Sequence, residues 1–92
     1  MYIHLGRDTV VLMENVIGIF DLDTTTVTKT SRDYLASAEK SGDVINITTE
    51  LPKSFVVVKD ESRKSGQVIY LSQISSATLL KRAEQNGLYD FN

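Results

Sequence analysis

The chain alternates short apolar runs with polar, turn-forming stretches along its whole length. Residues 2–5 and 9–12 are β-prone, and Gly6-Arg7-Asp8 between them suits a tight hairpin connection. Met13-Glu14-Asn15 interrupts, and Val16-Ile17-Gly18-Ile19-Phe20 resumes with β-branched and aromatic residues. That predicts a third strand and hence a meander. Gly18 inside the strand predicts a bulge or a close packing approach. Residues 24–28, rich in threonine, read as a surface loop.

The period then changes. Tyr34, Leu35 and Ala38 recur at helical spacing, and Thr30 or Ser31 offers an N-cap. Asp33 complements the positive helix start, Lys40 the negative end, and Gly42 is placed as the C-terminal cap. A helix over residues 31–41 follows. Val44, Ile45 and Ile47 predict a fourth strand, and Leu51-Pro52 keeps the next loop extended. The runs Phe55-Val56-Val57-Val58 and Val68-Ile69-Tyr70-Leu71 predict a hairpin with a charged turn over residues 59–66. Ser75 or Ser76 caps a last helix to Glu84, with Ala77, Leu79, Leu80 and Ala83 as its buried stripe and Gly87 as its stop. Residues 88–92 form an apolar tail that docks on a neighbour or frays. The sum is an α+β domain: a small antiparallel β-meander sheet with two helices, the second C-terminal, in one unit spanning 1–92.

Composition adds limits to that picture. With 92 residues and 41% apolar side chains, one core can form with little surplus stability. No cysteine is present to staple it, so packing or association with other subunits carries the stability, and an oligomer is expected. No secretion signal or apolar stretch of roughly 20 residues is visible, so the expected location is the cytoplasm, away from membranes. Ten Lys and Arg against twelve Asp and Glu give a net charge of −2. Nucleic-acid binding therefore needs local clustering, or repetition of one weakly basic patch over identical subunits.

Candidate chemistry is sparse. His4 is the only histidine, and alternation puts its side chain opposite Ile3 and Leu5, as a satisfied or solvent-facing residue without a nearby catalytic partner. Asp21 and Asp23 could share a face and hold a cation, although two carboxylates more commonly just end a strand. No nucleophile elbow and no phosphate-cradling glycine loop occurs, so no enzyme activity and no cofactor are expected. The cations lie in loops and at helix ends: Arg7, Lys29, Arg32, Lys53, Arg63, Lys64 and Lys81-Arg82. Such positions suit phosphate contacts. Acids lie close to several of them, so a mixed-charge solvated surface stands as the alternative.

Four stretches carry a resemblance: Tyr2-Ile3-His4-Leu5-Gly6, Val16-Ile17-Gly18-Ile19-Phe20-Asp21, Pro52-Lys53-Ser54-Phe55-Val56, and Tyr70-Leu71-Ser72-Gln73-Ile74 with the following Ser75-Ser76-Ala77-Thr78-Leu79-Leu80-Lys81-Arg82. Together they resemble the extracellular matrix regulatory protein (RemA/RemB) family of Gram-positive bacteria over nearly the whole chain, most closely its RemB (YaaB-like) branch. The resemblance implies transcription regulation of biofilm matrix genes, by a homo-oligomeric ring that binds DNA on its outer surface. Implied partners are copies of the chain itself, DNA, and a RemA-like paralogue. In the RemA branch, DNA contact depends on arginines in the loop after the second strand and the loop before the long apolar strand. The matching positions here are Asn15 and Leu51-Pro52, none of them cationic. Arg7 and Lys53 are then the first DNA-binding candidates, with Arg32, Lys29 and Lys64 beside them. The alternative expectation is a ring-forming protein-interaction module without tight DNA binding.

Overall fold

The computed structural model of the chain describes residues 1–22 and 28–90, the last five by their backbone alone. Strands β1 (Tyr2–Gly6) and β2 (Thr9–Leu12) form an antiparallel hairpin, as their spacing predicts. Alternation turns Ile3, Leu5 and Val11 inward and leaves Tyr2, His4 and Val10 exposed. A single 3-10 turn, Met13–Asn15, leads into β3 (Val16–Asp21). Helix α1 (Lys29–Lys40), β4 (Val44–Asn46), β5 (Ser54–Lys59), β6 (Gln67–Ser72) and helix α2 (Ser76–Asp90) follow.

The α+β class holds, with two helices and the second C-terminal. The arrangement of strands departs from a meander. β3 leaves the hairpin and pairs with β5, giving a four-stranded sheet of order β3-β5-β6-β4 beside the separate β1-β2 pair. β4 runs parallel to β6. The cause lies in β5, where Phe55, Val56, Val57 and Val58 are all buried. A strand that is apolar on both faces belongs in the middle of a sheet with a layer on each side, as its unbroken apolar run requires. β3 and β6 take its two edges. On one face Val56, Val58 and Val68 pack with Ile3, Leu5, Val11 and Leu79, so the hairpin and α2 form a cover. On the other face Phe55, Val57 and Ile69 pack with Leu35 and Ala38 of α1.

Gly18 meets both expectations placed on it. The β3-β5 register shifts between Val16 and Gly18, and a Cβ at Gly18 would lie 2.6 Å from Cε2 of Phe20.

The helices differ from expectation at their ends. α1 starts two residues early because Thr28, rather than Thr30 or Ser31, is the N-cap: its Oγ1 accepts the Ser31 N–H at 3.1 Å. At the other end Gly42 adopts φ 76, its N–H donates to the Glu39 carbonyl and that of Asp43 to Ala38, the paired bonds of a glycine-closed helix end. In α2 Ser75 is the cap, its Oγ accepting the Thr78 N–H at 3.2 Å. The helix does not stop at Gly87 but runs to Asp90, since one interior glycine costs only about 1 kcal/mol relative to alanine. The buried stripe also shifts: Leu79 is fully buried and Ala83 half-buried, while Ala77 and Leu80 are exposed. The predicted threonine loop falls mostly outside the described residues, as do Asp23 and the side chains of the tail.

Candidate nucleic-acid interface

Arg7 occupies the hairpin turn, exposed, with φ 47. This left-handed backbone suits glycine and costs an L side chain roughly 1–2 kcal/mol. Two hydrogen bonds surround the turn. The His4 ring donates through Nε2 to the Arg7 carbonyl, which assigns the ring hydrogen to that nitrogen. Arg82 of α2 donates through Nη1 to the His4 carbonyl at 2.9 Å. His4 is thus solvent-facing and satisfied.

Lys53, exposed, precedes β5. Its N–H donates to the Ser72 carbonyl at 2.8 Å, while the Ser72 hydroxyl donates to the Leu5 carbonyl at 2.6 Å. Ser72 is fully buried, so it ties the hairpin to the sheet and sets the Arg7 turn and Lys53 at one end of the molecule. Lys64 lies elsewhere, in the β5-β6 turn. The six residues of β5 separate it from Lys53 by about 20 Å along the strand. Lys29 and Arg32 are exposed on the first turn of α1. Lys64 therefore lies apart from Lys53, whereas the bonds of Ser72 bring the Arg7 turn and Lys53 to one end.

Ion pairing divides the cations. Arg63, half-buried, reaches Asp60 at 3.2 Å, Asp43 at 3.4 Å and the Gly42 carbonyl at 3.1 Å, clamping the β5-β6 turn to the end of α1. Lys59 pairs with Glu61 at 3.1 Å. Arg82 is engaged with His4. Among the described residues none of Arg7, Lys29, Arg32, Lys53 or Lys64 is in an ion pair. Among the described residues two groups titrate away from their ordinary values. The Ser62 hydroxyl and backbone N–H, followed by Arg63, hold the Asp60 carboxyl below its ordinary range. Partial burial, with the charge of Asp43 behind it, raises the Tyr34 phenol.

The two positions that the resemblance matched to arginine-bearing loops lie apart. Asn15 lies beside Lys59, Asp60 and Glu61 at the turn end of β5. Leu51, at the other end, is 86% exposed. Apolar side chains that hydrophobic spacing alone did not mark as exposed also face solvent. Ile17, Phe20 and Tyr34 border an open groove of about 350 Å³ between β3 and α1. Asp21 ends β3 as expected, and no group of three or more metal-ligating side chains occurs among the described residues. No described helix is long and apolar enough to cross a membrane.

A family profile described as RemA-like, extracellular matrix regulatory protein A-like, matches residues 2–83. The chain belongs to this family. Within it, this RemA-like chain is similar to Extracellular matrix regulatory protein B of Bacillus subtilis (strain 168), with 37% identity over 84 residues that make up 91% of each chain. Both names are those of regulatory proteins rather than enzymes. The matched span takes in the Arg7 turn, Lys29, Arg32, Lys53, Lys64, and the His4-Arg82 hydrogen bond.

Proposed function

We propose that this RemA-like chain is a self-associating transcriptional regulator of matrix genes that contacts DNA phosphates through Arg7 and Lys53, with Lys29, Arg32 and Lys64 as further contacts. The observation that carries this reading is Arg7 itself. A charged residue stands in an exposed turn at φ 47, where glycine would relieve the backbone, and its guanidinium has no ion-pair partner among the described residues. An unfavourable backbone angle around an unused side chain supports an outward role for that side chain. The net charge of −2 argues against tight binding by one subunit, so repetition over several subunits is part of the proposal. Regulation by binding requires neither a catalytic step nor a cofactor.

The test is retardation of matrix-promoter DNA across a salt series. Binding that weakens linearly in log salt is expected, and Arg7→Gln or Lys53→Gln should reduce the slope by about one for each phosphate that a subunit no longer neutralises. No retardation at the lowest salt, where counterion release most favours binding, rejects the reading.

A second reading is a protein-interaction module of the same fold, with a RemA-like paralogue as its partner. Exposed Tyr2, Val10, Ile17, Phe20 and Leu51, together with the uncharged Asn15 and Leu51-Pro52, favour it. Co-purification with the paralogue that survives nuclease digestion would support this module over the DNA regulator.

A further inference from the structure

We infer that His4 and Arg82 are positioning residues that hold the Arg7 turn in its left-handed conformation, so that the Arg7 guanidinium meets phosphate without first being ordered. This rests on the phosphate-contact reading above.

Two hydrogen bonds in series link three elements. Arg82 on α2 donates to the His4 carbonyl of β1, and the His4 ring donates to the Arg7 carbonyl in the turn. The elements behind the turn are firmly held. β1 is anchored by buried Ile3 and Leu5, and α2 by buried Leu79, all in one core cluster. The turn between Gly6 and Thr9 has no such anchor of its own, since Arg7 and Asp8 are both exposed. With an arginine at φ 47, negative-φ turn geometries compete, and the His4 bond to the Arg7 carbonyl opposes them.

The chemistry of His4 fits this task. It is exposed, it is the only histidine of the chain, and its hydrogen bond goes to backbone rather than to a carboxylate. A carbonyl can only accept, so the position needs a donor of about that reach, which an amide side chain also supplies. Arg82 acts one step further back. By bonding the His4 carbonyl it ties β1 to α2 beside the turn. Removing either residue leaves the Arg7 side chain in place but frees the backbone that aims it. The ordering cost then falls on binding, where a preorganised turn would have avoided it.

The experiment uses the full chain and two readouts. The first is NMR: a left-handed residue gives a strong intraresidue amide-to-Hα cross-peak, expected at Arg7 in the wild type, weakened in His4→Ala and restored in His4→Gln. Arg82→Met should weaken it as well. The second is retardation of matrix-promoter DNA. His4→Ala should lower affinity, by no more than Arg7→Gln does, and cause no further decrease when placed in an Arg7→Gln background. A cross-peak unchanged in His4→Ala overturns the inference, and so does a decrease that adds to that of Arg7→Gln, which would mark His4 as structural or as a DNA contact in its own right. If Arg7→Gln binds as the wild type does, the phosphate-contact reading fails separately, whatever the cross-peak shows.

Discussion

At the residue scale, the left-handed angle of Arg7 sets two effects against each other. In Arg7→Gly, relief of the backbone opposes the extra entropy of a glycine in the unfolded chain. Urea unfolding should find the variant as stable as the parent or up to about 1 kcal/mol more stable, with DNA affinity reduced. Gly18→Ala should act in the opposite sense. Its Cβ would lie 2.6 Å from the Phe20 ring, so that ring, 43% exposed beside the groove, has to turn away and disturb its stack on buried Phe55, where the centroids are 4.9 Å apart. A decrease of about 0.5–1.5 kcal/mol in urea unfolding, the worth of such a stack, is expected. Asp60 supplies a pH dependence. Its folded-state pKa lies below the ordinary 3.8, so its contribution to stability is present above pH 3.8 and is lost as pH falls through the folded value. The stability difference between wild type and Asp60→Asn should therefore be constant at neutral pH and close in acid. Sequence marked Gly18 for its backbone but Arg7 for its charge alone, because positive φ is signalled chiefly by glycine and here continues from Gly6, at φ 134, into the next residue. Placement was legible where alternation decides it: His4 between Ile3 and Leu5 had to face the other way, and it does.

At the element scale, the six strands and two helices were nearly all visible, and the departures fell at ends and faces. Thr28, Thr30 and Ser31 can each cap a helix, and the apolar residues Leu35 and Ala38 lie too far along α1 to choose among them. Thr28→Ala should lower stability by about 0.5–2 kcal/mol in thermal or urea unfolding, whereas Thr30→Ala should have little effect. In α2 the apolar positions Ala77, Leu79, Leu80 and Ala83 cover more of the helix circumference than one packed face can bury. Only the packing of the hairpin and sheet selects Leu79 and Ala83 from them. Leu79→Ala should accordingly cost about 2–5 kcal/mol, and Leu80→Ala, at a position 47% exposed, far less. Equal decreases at the two positions, compared by urea unfolding, would contradict the described face of α2.

At the scale of the whole molecule, the pairing of β3 with β5 joins strands separated by α1 and β4, and no local pattern encodes such a choice. Only the apolar run of β5 hinted that it needed neighbours on both edges. The same long-range placement decides the candidate interface, because it sets Lys53 near the Arg7 turn and leaves Lys64 about 20 Å away along β5. The two ends differ in how their charges are used. Around Lys64, Arg63 is paired with Asp60 and Asp43, and Lys59 with Glu61, so a phosphate approaching there meets carboxylates already close to the cations. At the other end Asp8 and Glu50 are nearby in sequence, yet neither pairs with Arg7 or Lys53 among the described residues. If DNA approaches the Arg7-Lys53 end, Lys53→Gln should reduce the salt slope of binding by more than Lys64→Gln does, both measured by retardation over the same salt series. An equal reduction from the two variants would instead place the duplex lengthwise along β5, with phosphates at both ends of the strand.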